Sequence, residues 1–412
     1  MYFNNRQQMK TGEKIDFEYK GDSYSGIFIK NDGKITTIKL SNGYNISALN
    51  ENIKILREYE NNYVAQDNIR EIKINGKNEV YILTTGGTIG SSVDYRTGAV
   101  KPVRDISYIY NFVNNISEFN VKQINVANIL SENVNSKYWI EYARRARDVL
   151  NKNAGVVIFH GTDTMQHTAS ALSFMFEKLT GPIILTGSQR SSDRPSSDAF
   201  INIEASINFT KSDIGEVGIV MHSDTSDGTV SFHRGVRARK MHTSRRDAFQ
   251  SIGIRPLATY TDGRVSVNNN AMKRQDENIL NDKMDDSVSI IYFYPGMPEE
   301  DFINIAANKK AVIIMGTGLG HVSDNIINAI KRLSKDTYFF MTSQCLYGSV
   351  NLNVYSTGRY LLDAGVIPLG DMLPETAMVK AMFLLANYPD NLVKLMKSNL
   401  RGELNSRRIL EW

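Results

Sequence analysis

The sequence contains little of what metal centres and covalent cross-links require. Its 412 residues include a single cysteine, Cys345, so neither an intrachain disulfide nor a cysteine zinc framework can form. The six histidines are scattered without the spacing of metal ligands, and we therefore expect a structural or surface role for each. So little cysteine suits a reducing compartment, and we expect a cytoplasmic protein.

Long hydrophobic runs are also missing. No apolar stretch approaches the roughly 18 residues of a membrane span, and residues 1–10 are polar rather than a secretory signal. Lysine and arginine exceed aspartate and glutamate by 48 − 44 = 4, which argues against a protein that wraps nucleic acid but leaves room for a local basic surface. We expect a soluble chain of two or three domains without membrane association.

The chain divides into three stretches that differ in their pattern of polar and apolar residues. Residues 12–58 alternate polar and apolar residues between turn signals, a pattern typical of short antiparallel strands that curl into a small barrel, and a polar tether completes this module at residues 1–75. Residues 76–275 alternate β-branched runs with helical spacing, which predicts a larger α/β domain with a parallel sheet. Asn135-Ser136 can cap a helix predicted over residues 137–152, and a second helix is predicted over residues 168–179. Residues 276–412 repeat that pattern as a smaller C-terminal α/β domain. We expect the first module to act in assembly, because no residue in it indicates chemistry.

The first candidate motif, TTGGTIG, directly follows the first predicted strand of the larger domain and spans residues 84–90. Glycines such as Gly87 let the backbone approach a ligand, and Thr88 offers a hydroxyl beside backbone N–H groups that can hold an oxyanion. A nucleophile with its oxyanion donors fits this arrangement. The alternative is a phosphate-binding turn, but the P-loop lysine and the GxGxxG spacing are both absent.

The second motif, HGTDTM, spans residues 160–165 and follows the apolar run AGVVIF. Thr162 and Asp163 place a hydroxyl beside a carboxylate, a pair that can position a water, relay a proton or hold a substrate ammonium or a lysine. The alternative is that one of them only caps the helix predicted to follow.

The third motif is the basic run of residues 233–246, which contains Lys240. Its ordinary interpretation is a solvated or nucleic-acid-facing patch. If Lys240 reaches Thr162 and Asp163 in the folded chain, burial would lower its pKa and make it a proton acceptor. The run GTGLG at residues 316–320 is interpreted as a turn into a helix, since its glycine spacing differs from the dinucleotide-binding fingerprint.

Together these motifs resemble those of the L-asparaginase and glutaminase family, from about residue 79 to the C-terminus. The resemblance implies two α/β domains of asparaginase type behind the β-barrel. It also implies that Thr88 attacks a side-chain amide, forms an acyl-enzyme and releases ammonia, while Tyr95 helps to activate it. Thr162, Asp163 and Lys240 match the second catalytic triad of the family.

The resemblance also implies a substrate site. Ser131 falls where the family binds the substrate α-carboxylate, and Glu132 stands where many bacterial members carry glutamine. Gly87 and Gly161 complete the expected substrate-binding set.

The N-terminal module, with the segments SSDRPSSDA (191–199) and HTSRRDAF (242–249), narrows the resemblance to the amidase subunits of archaeal tRNA-dependent amidotransferases. This implies hydrolysis of glutamine or asparagine, and transfer of ammonia to a partner subunit that binds tRNA and uses ATP and magnesium. It further implies a homodimer of this chain, with no metal site, no nucleotide site and no cofactor in the chain itself. The alternatives are a free-standing cytoplasmic L-asparaginase and a catalytically silent docking subunit.

Overall fold

An antiparallel sheet of five strands opens the chain. The structure, a computed structural model, describes residues 13–40, 45–58, 76–87, 89, 91–94, 99–102, 113, 115–191, 197–226 and 228–405. The first strands are β1 (Lys14–Tyr19), β2 (Asp22–Asn31), β3 (Ile35–Leu40), β4 (Asn45–Leu49) and β5 (Ile53–Glu58), in the sheet order β4-β3-β2-β1-β5.

This sheet is curled, because β4 and β5 lie at its opposite edges although only the 3-10 turn Asn50–Asn52 separates them in sequence. Such a short connection brings the two edges together only if the sheet closes towards a barrel. Ile15, Phe17 and Ile38 have no exposed surface and fill its interior. The predicted small β-barrel is confirmed, and the predicted turn at residues 41–43 lies outside the described residues.

The larger α/β region has an eight-stranded sheet at its centre. Its strands and those of three small ribbons are β6 (Asn78–Thr84), β7 (Ser91–Asp94), β8 (Ala99–Pro102), β9 (Phe119–Asn125), β10 (Gly155–Phe159), β11 (Phe176–Lys178), β12 (Ile183–Thr186), β13 (Val217–His222), β14 (Thr229–Arg234), β15 (Ala238–Lys240), β16 (Phe249–Ser251), β17 (Ala258–Thr261), β18 (Arg264–Val267) and β19 (Ile279–Leu280). The helices are α1 (Ser136–Leu150), α2 (Met165–Met175) and α3 (Ala199–Phe209), with 3-10 turns at Ile116–Glu118 and Ser131–Asn133.

The main sheet, in the order β18-β17-β14-β13-β12-β10-β6-β9, is only partly parallel. Strands β9, β6, β10, β12 and β13 are parallel, and the apolar runs predict all of them except β9. Strands β14, β17 and β18 extend the sheet in antiparallel fashion, which the sequence analysis did not anticipate. The connection from β13 to β14 spans only residues 223–228, too short for the crossover that a parallel neighbour requires.

Two helix predictions show where local signals suffice and where they do not. Asn135 caps α1 as predicted, and its side chain accepts a hydrogen bond of 3.1 Å from the Lys137 N–H. The second predicted helix was expected to continue through Leu179 but ends at Met175, because Phe176–Lys178 pairs with β19 instead. None of the helices that the structure describes combines the length and hydrophobicity needed to cross a membrane.

The C-terminal region has a parallel sheet of four strands in the order β20-β21-β22-β23. Its elements are β20 (Val288–Tyr292), α4 (Glu299–Ala306), β21 (Ala311–Gly316), α5 (Asp324–Leu333), β22 (Tyr338–Ser343), α6 (Ser356–Asp363), β23 (Ile367–Pro368), α7 (Pro374–Asn387), a 3-10 turn Pro389–Asn391 and α8 (Leu392–Met396). The GTGLG segment forms a turn closed by a bridge between Thr317 and His321, and α5 begins shortly after it.

The hydrophobic cores of the two α/β regions are continuous. Helix α7 packs against α2, and the rings of Phe174 and Phe383 stack with their centroids 6.3 Å apart. The C-terminal region is therefore fixed directly behind the helix that follows the HGTDTM motif.

Candidate active site

The candidate site lies at the carboxyl edge of the main sheet, where the loops after β6, β9 and β10 meet. The backbone is so crowded there that a Cβ on Gly86 would lie 2.3 Å from the carbonyl oxygen of Ile129, and one on Gly87 would lie 2.6 Å from the nitrogen of Gly161. Both Gly86 (φ +117°) and Gly87 (φ +89°) also have backbone angles that favour glycine. These glycines allow three loops to converge at the edge where parallel sheets bind ligands.

Lys240 joins the second and third motifs. Its ammonium lies 2.8 Å from Oγ1 of Thr162 and 2.7 Å from Oδ1 of Asp163, across 78 and 77 residues of sequence. The Lys240 side chain is 10% exposed and that of Asp163 is 69% exposed, so the amine is held inside while the carboxylate faces the site opening. The structure thus brings together three residues that the sequence analysis selected from two separate motifs.

The capping alternative for Thr162 and Asp163 is wrong. The N-cap of α2 is Thr164, and no side chain caps the helix there. Thr164 instead donates a hydrogen bond of 2.6 Å through Oγ1 to the carbonyl oxygen of Ser131. Thr164 therefore ties the HGTDTM loop to the loop after β9 and leaves Thr162 and Asp163 available to Lys240.

The expected substrate-binding residues are adjacent. Ser131 is buried in a 3-10 turn, and a Cβ on Gly161 would lie 2.7 Å from its Cβ and 2.9 Å from its Oγ. Glu132 is exposed beside it, and Gly87 contacts Gly161 from the other side. This places Ser131, Glu132, Gly161 and Gly87 in one region, next to the loop that carries Thr162.

Two expected catalytic residues, Thr88 and Tyr95, lie outside the described residues. Their roles remain predictions from the sequence. The flanking Gly87, which is described, contacts Gly161 and so fixes where the TTGGTIG loop enters the site.

Beneath the site, His160 belongs to a hydrogen-bonded chain that the sequence did not reveal. Trp139 donates through its indole N–H to Oγ1 of Thr168 at 3.0 Å, and this hydroxyl lies 2.9 Å from Nε2 of His160, whose Nδ1 lies 2.7 Å from the carbonyl oxygen of Gly161. The Gly161 carbonyl oxygen only accepts hydrogen bonds, so Nδ1 carries the proton. In the neutral ring Nε2 then accepts the hydrogen bond that the Thr168 hydroxyl donates. Burial lowers the pKa of His160 to about 4, which agrees with this neutral tautomer.

Three of the five arginines of the third motif are held in ion pairs rather than in a solvated patch. Arg234 pairs with Glu216 at 2.6 Å, Arg237 with Asp371 at 3.0 Å and Arg239 with Glu375 at 2.7 Å. Side chains of Arg234 and Arg237 are at most 8% exposed. The basic-patch alternative is wrong for these residues, and the sequence could not reveal this because two of the three acidic partners lie more than 130 positions away.

The described residues contain no cluster of three or more histidine, cysteine, aspartate or glutamate side chains that could hold a metal ion. The groups that the described site presents are the Thr162 hydroxyl, the Asp163 carboxylate, the Lys240 amine and the backbone of Gly161.

Comparison with known proteins agrees with this site. Residues 79–273 match the model of the N-terminal asparaginase domain, and residues 287–394 match that of the glutaminase/asparaginase C-terminal domain. The chain is 48% identical over 403 residues to a protein of Thermoplasma volcanium named as the D subunit of glutamyl-tRNA(Gln) amidotransferase, covering 96% of this chain and 98% of that protein. It is 45% identical over 418 residues to the protein of the same name from Sulfolobus acidocaldarius, covering 98% and 93%.

Solved structures give the same fold. The L-asparaginase of Thermococcus kodakarensis superposes with a TM-score of 0.73 and 27% identity over 80% of this chain and all of that one. L-asparaginase I of Vibrio cholerae superposes with a TM-score of 0.68 and 29% identity over 80% and 99%. The chain therefore belongs to the L-asparaginase and glutaminase family and, within it, to the amidotransferase D subunits.

Proposed function

We propose that this chain is the ammonia-producing component of a glutamyl-tRNA(Gln) amidotransferase. It hydrolyses glutamine, or asparagine, and supplies ammonia to a partner, the E subunit, which converts Glu-tRNA(Gln) to Gln-tRNA(Gln). The observation that carries the proposal is the contact of Lys240 with Thr162 and Asp163 beside Gly161 and Ser131. Relatives named as D subunits match the chain over nearly its whole length, including the β-barrel.

The proposed reaction is acyl transfer through a threonine. The Thr88 oxygen attacks the side-chain amide carbon, its proton passes to a base assisted by Tyr95, and backbone N–H groups bind the oxyanion. The C–N bond then breaks, the nitrogen takes up the proton and leaves as ammonia, and the acyl group remains on Thr88. A water whose proton passes to the Thr162 and Lys240 pair attacks this ester and releases glutamate or aspartate.

Substrate recognition in this proposal uses the residues around that nucleophile. Ser131 binds the α-carboxylate, and Asp163 and Glu132 hold the α-amino group. Gly87 and Gly161 keep the backbone close enough for both contacts. In this proposal ATP and Mg²⁺ act in the E subunit, and the amidase reaction of this chain uses neither.

The proposed assembly is cytoplasmic and consists of two copies of this chain flanked by two copies of the E subunit, a heterotetramer. The tRNA binds mainly through the E subunit. The rival function, a free-standing L-asparaginase, is favoured by one observation: the asparaginases that superpose on this chain are covered almost completely. These asparaginases superpose on only 80% of this chain, whereas the sequences of the D subunits align with 96% or more of it, which favours the proposed function.

The test is ammonia release from glutamine and from asparagine, measured for the chain alone and then with the E subunit and charged tRNA. We expect slow release alone and a steep rise with the partner and tRNA. Thr88→Ala should abolish both activities, whereas Thr229→Ala, the same change at a partly exposed side chain that bonds Thr261 at 2.9 Å away from the motifs, should keep them.

Each alternative has its own outcome. Rapid hydrolysis that ignores the partner would identify a free-standing amidohydrolase. Absence of release under every condition would identify a catalytically silent chain, and near-wild-type activity in a folded Thr88→Ala variant would exclude Thr88 as the nucleophile.

A further inference from the structure

The strand that carries Lys240 is weakly supported by the sheets. Within the described part of the chain, β15 pairs only with β16, in a two-stranded ribbon outside the main sheet. A two-stranded ribbon is marginally stable by itself. The position of the Lys240 amine therefore depends on what else holds β15 and the residues just before it.

Helix α2 contacts this segment through Ser170, which donates to the carbonyl oxygen of Gly235 at 3.3 Å, and the charged contacts come from the C-terminal region. Arg239 donates through Nη1 to Oε2 of Glu375 at 2.7 Å, and Thr376 donates through Oγ1 to the carbonyl oxygen of Val236 at 3.0 Å. Arg237 donates to the side chain and the carbonyl oxygen of Asp371, both at 3.0 Å. The first turn of α7 and the loop before it thus fix the segment that leads to Lys240.

The surroundings of the Arg239–Glu375 pair favour a charged carboxylate bound to the guanidinium. The Glu375 side chain is 6% exposed and lies in the first turn of α7, where the helix dipole favours a carboxylate. Burial raises the pKa of Glu375 and the charge of Arg239 opposes that rise. His167 on α2 faces Arg239. Burial, and to a smaller extent the charge of Arg239, lower the pKa of His167 to about 4, so His167 is neutral and does not repel the guanidinium.

We propose that Arg239 and Glu375 are positioning residues for the amidase reaction: the pair couples α7 to β15 and sets the distance from the Lys240 amine to Thr162 and Asp163. This inference rests on the proposed function. Arg239 is the immediate neighbour of Lys240, and a displacement of about 1 Å would move contacts of 2.7 and 2.8 Å out of hydrogen-bond range. A misplacement of that size costs on the order of 100-fold in rate.

The test separates positioning from stability with a double variant. Arg239→Met leaves the buried Glu375 carboxylate unpaired, so both the melting temperature and kcat should fall. Arg239→Met with Glu375→Gln removes the unpaired charge, and its melting temperature should return close to that of the wild type. Its kcat for ammonia release, with the E subunit and charged tRNA present, should stay about 10- to 100-fold low, with KM within about threefold of the wild type.

Two further variants complete the series. Arg239→Lys keeps the positive charge but loses the planar fork, and should recover part of kcat. Arg144→Met is the matched control, because it breaks a 2.6 Å pair with Asp282 that also joins distant parts of the chain but touches no residue of the site. Its kcat should not change.

Recovery of kcat together with the melting temperature in the double variant would overturn the inference, because the pair would then only stabilise the fold. A folded Arg239→Met variant with kcat within twofold of the wild type would also overturn it. A wild-type chain that releases no ammonia in the complete assay would instead overturn the proposed function, and this inference with it.

Discussion

Replacing Lys240 with methionine separates catalysis from folding more cleanly than any other single change at the site. Methionine keeps most of the buried stem and removes the amine that contacts Thr162 and Asp163. The Asp163 side chain is 69% exposed, so its carboxylate stays solvated when the amine is lost. Only the Lys240 end of this ion pair is buried, so the stability cost should remain near about 1 kcal/mol, the upper end of the range for exposed pairs.

The effect on catalysis should be much larger. A positioned proton-transfer group contributes on the order of 10²- to 10⁴-fold in rate, which corresponds to about 3 to 5 kcal/mol of barrier. We expect Lys240→Met to lose that much kcat for glutamine hydrolysis while its melting temperature changes by no more than a few degrees. Lys240→Arg should stay impaired, because a guanidinium keeps the charge but does not give up its proton.

The assay is steady-state ammonia release beside thermal unfolding of the same preparations. Lys178→Met serves as control, since it removes an exposed pair with Glu277 at 2.8 Å that is remote from the motifs. A Lys240→Met variant with kcat within tenfold of the wild type and the same melting temperature would refute the relay and return Lys240 to the role of a local surface charge.

Two further predictions concern residues behind the relay. In Gly161→Ala the new Cβ would lie 2.7 Å from Cβ of Ser131, so KM for glutamine should rise at least about tenfold. Gly228→Ala is the control, because its new Cβ would meet nothing closer than 3.4 Å. An unchanged KM in Gly161→Ala would contradict the predicted carboxylate site. The second prediction concerns pH. The pKa of His160 is about 4 in the folded chain and about 6.5 in the unfolded chain, so the unfolded state binds the proton first as the pH falls. The free energy of unfolding should therefore fall by about 3 kcal/mol between pH 6.5 and pH 4. The free energies of unfolding of the wild type and of His160→Gln, plotted against pH over this range, should converge as the pH falls. A constant difference between them would contradict a buried, neutral His160.

The sequence predicted best those features that depend on neighbouring residues. Apolar runs located the parallel strands β6, β10, β12 and β13, since strands covered on both faces consist of such runs. Asn135 marked the start of α1 for an equally local reason. The antiparallel strands β14 and β17 were missed, because both are short and mix polar with apolar residues instead of forming an apolar run.

The site was predictable in its residues but not in its distances. Thr162, Asp163 and Lys240 could be selected from their motifs, yet only the fold shows that the lysine lies within hydrogen-bond distance of the other two. The roles of Arg239 and Glu375 could not be derived, because 136 residues separate them and an arginine in a basic run carries no sign of its partner. Such pairs depend on tertiary packing rather than on local pattern.

The contacts between the C-terminal region and the Lys240 segment affect when this chain can become active while it is being translated. Arg237 also donates to the carbonyl oxygen of Gly402, and buried Lys380 pairs with buried Glu403 at 2.5 Å. All the candidate catalytic residues leave the ribosome long before these anchors are made. A nascent chain therefore contains every motif before it can form the contacts that anchor the Lys240 segment. Under the proposed function it would release ammonia only after residues 371–403 have been translated and have docked.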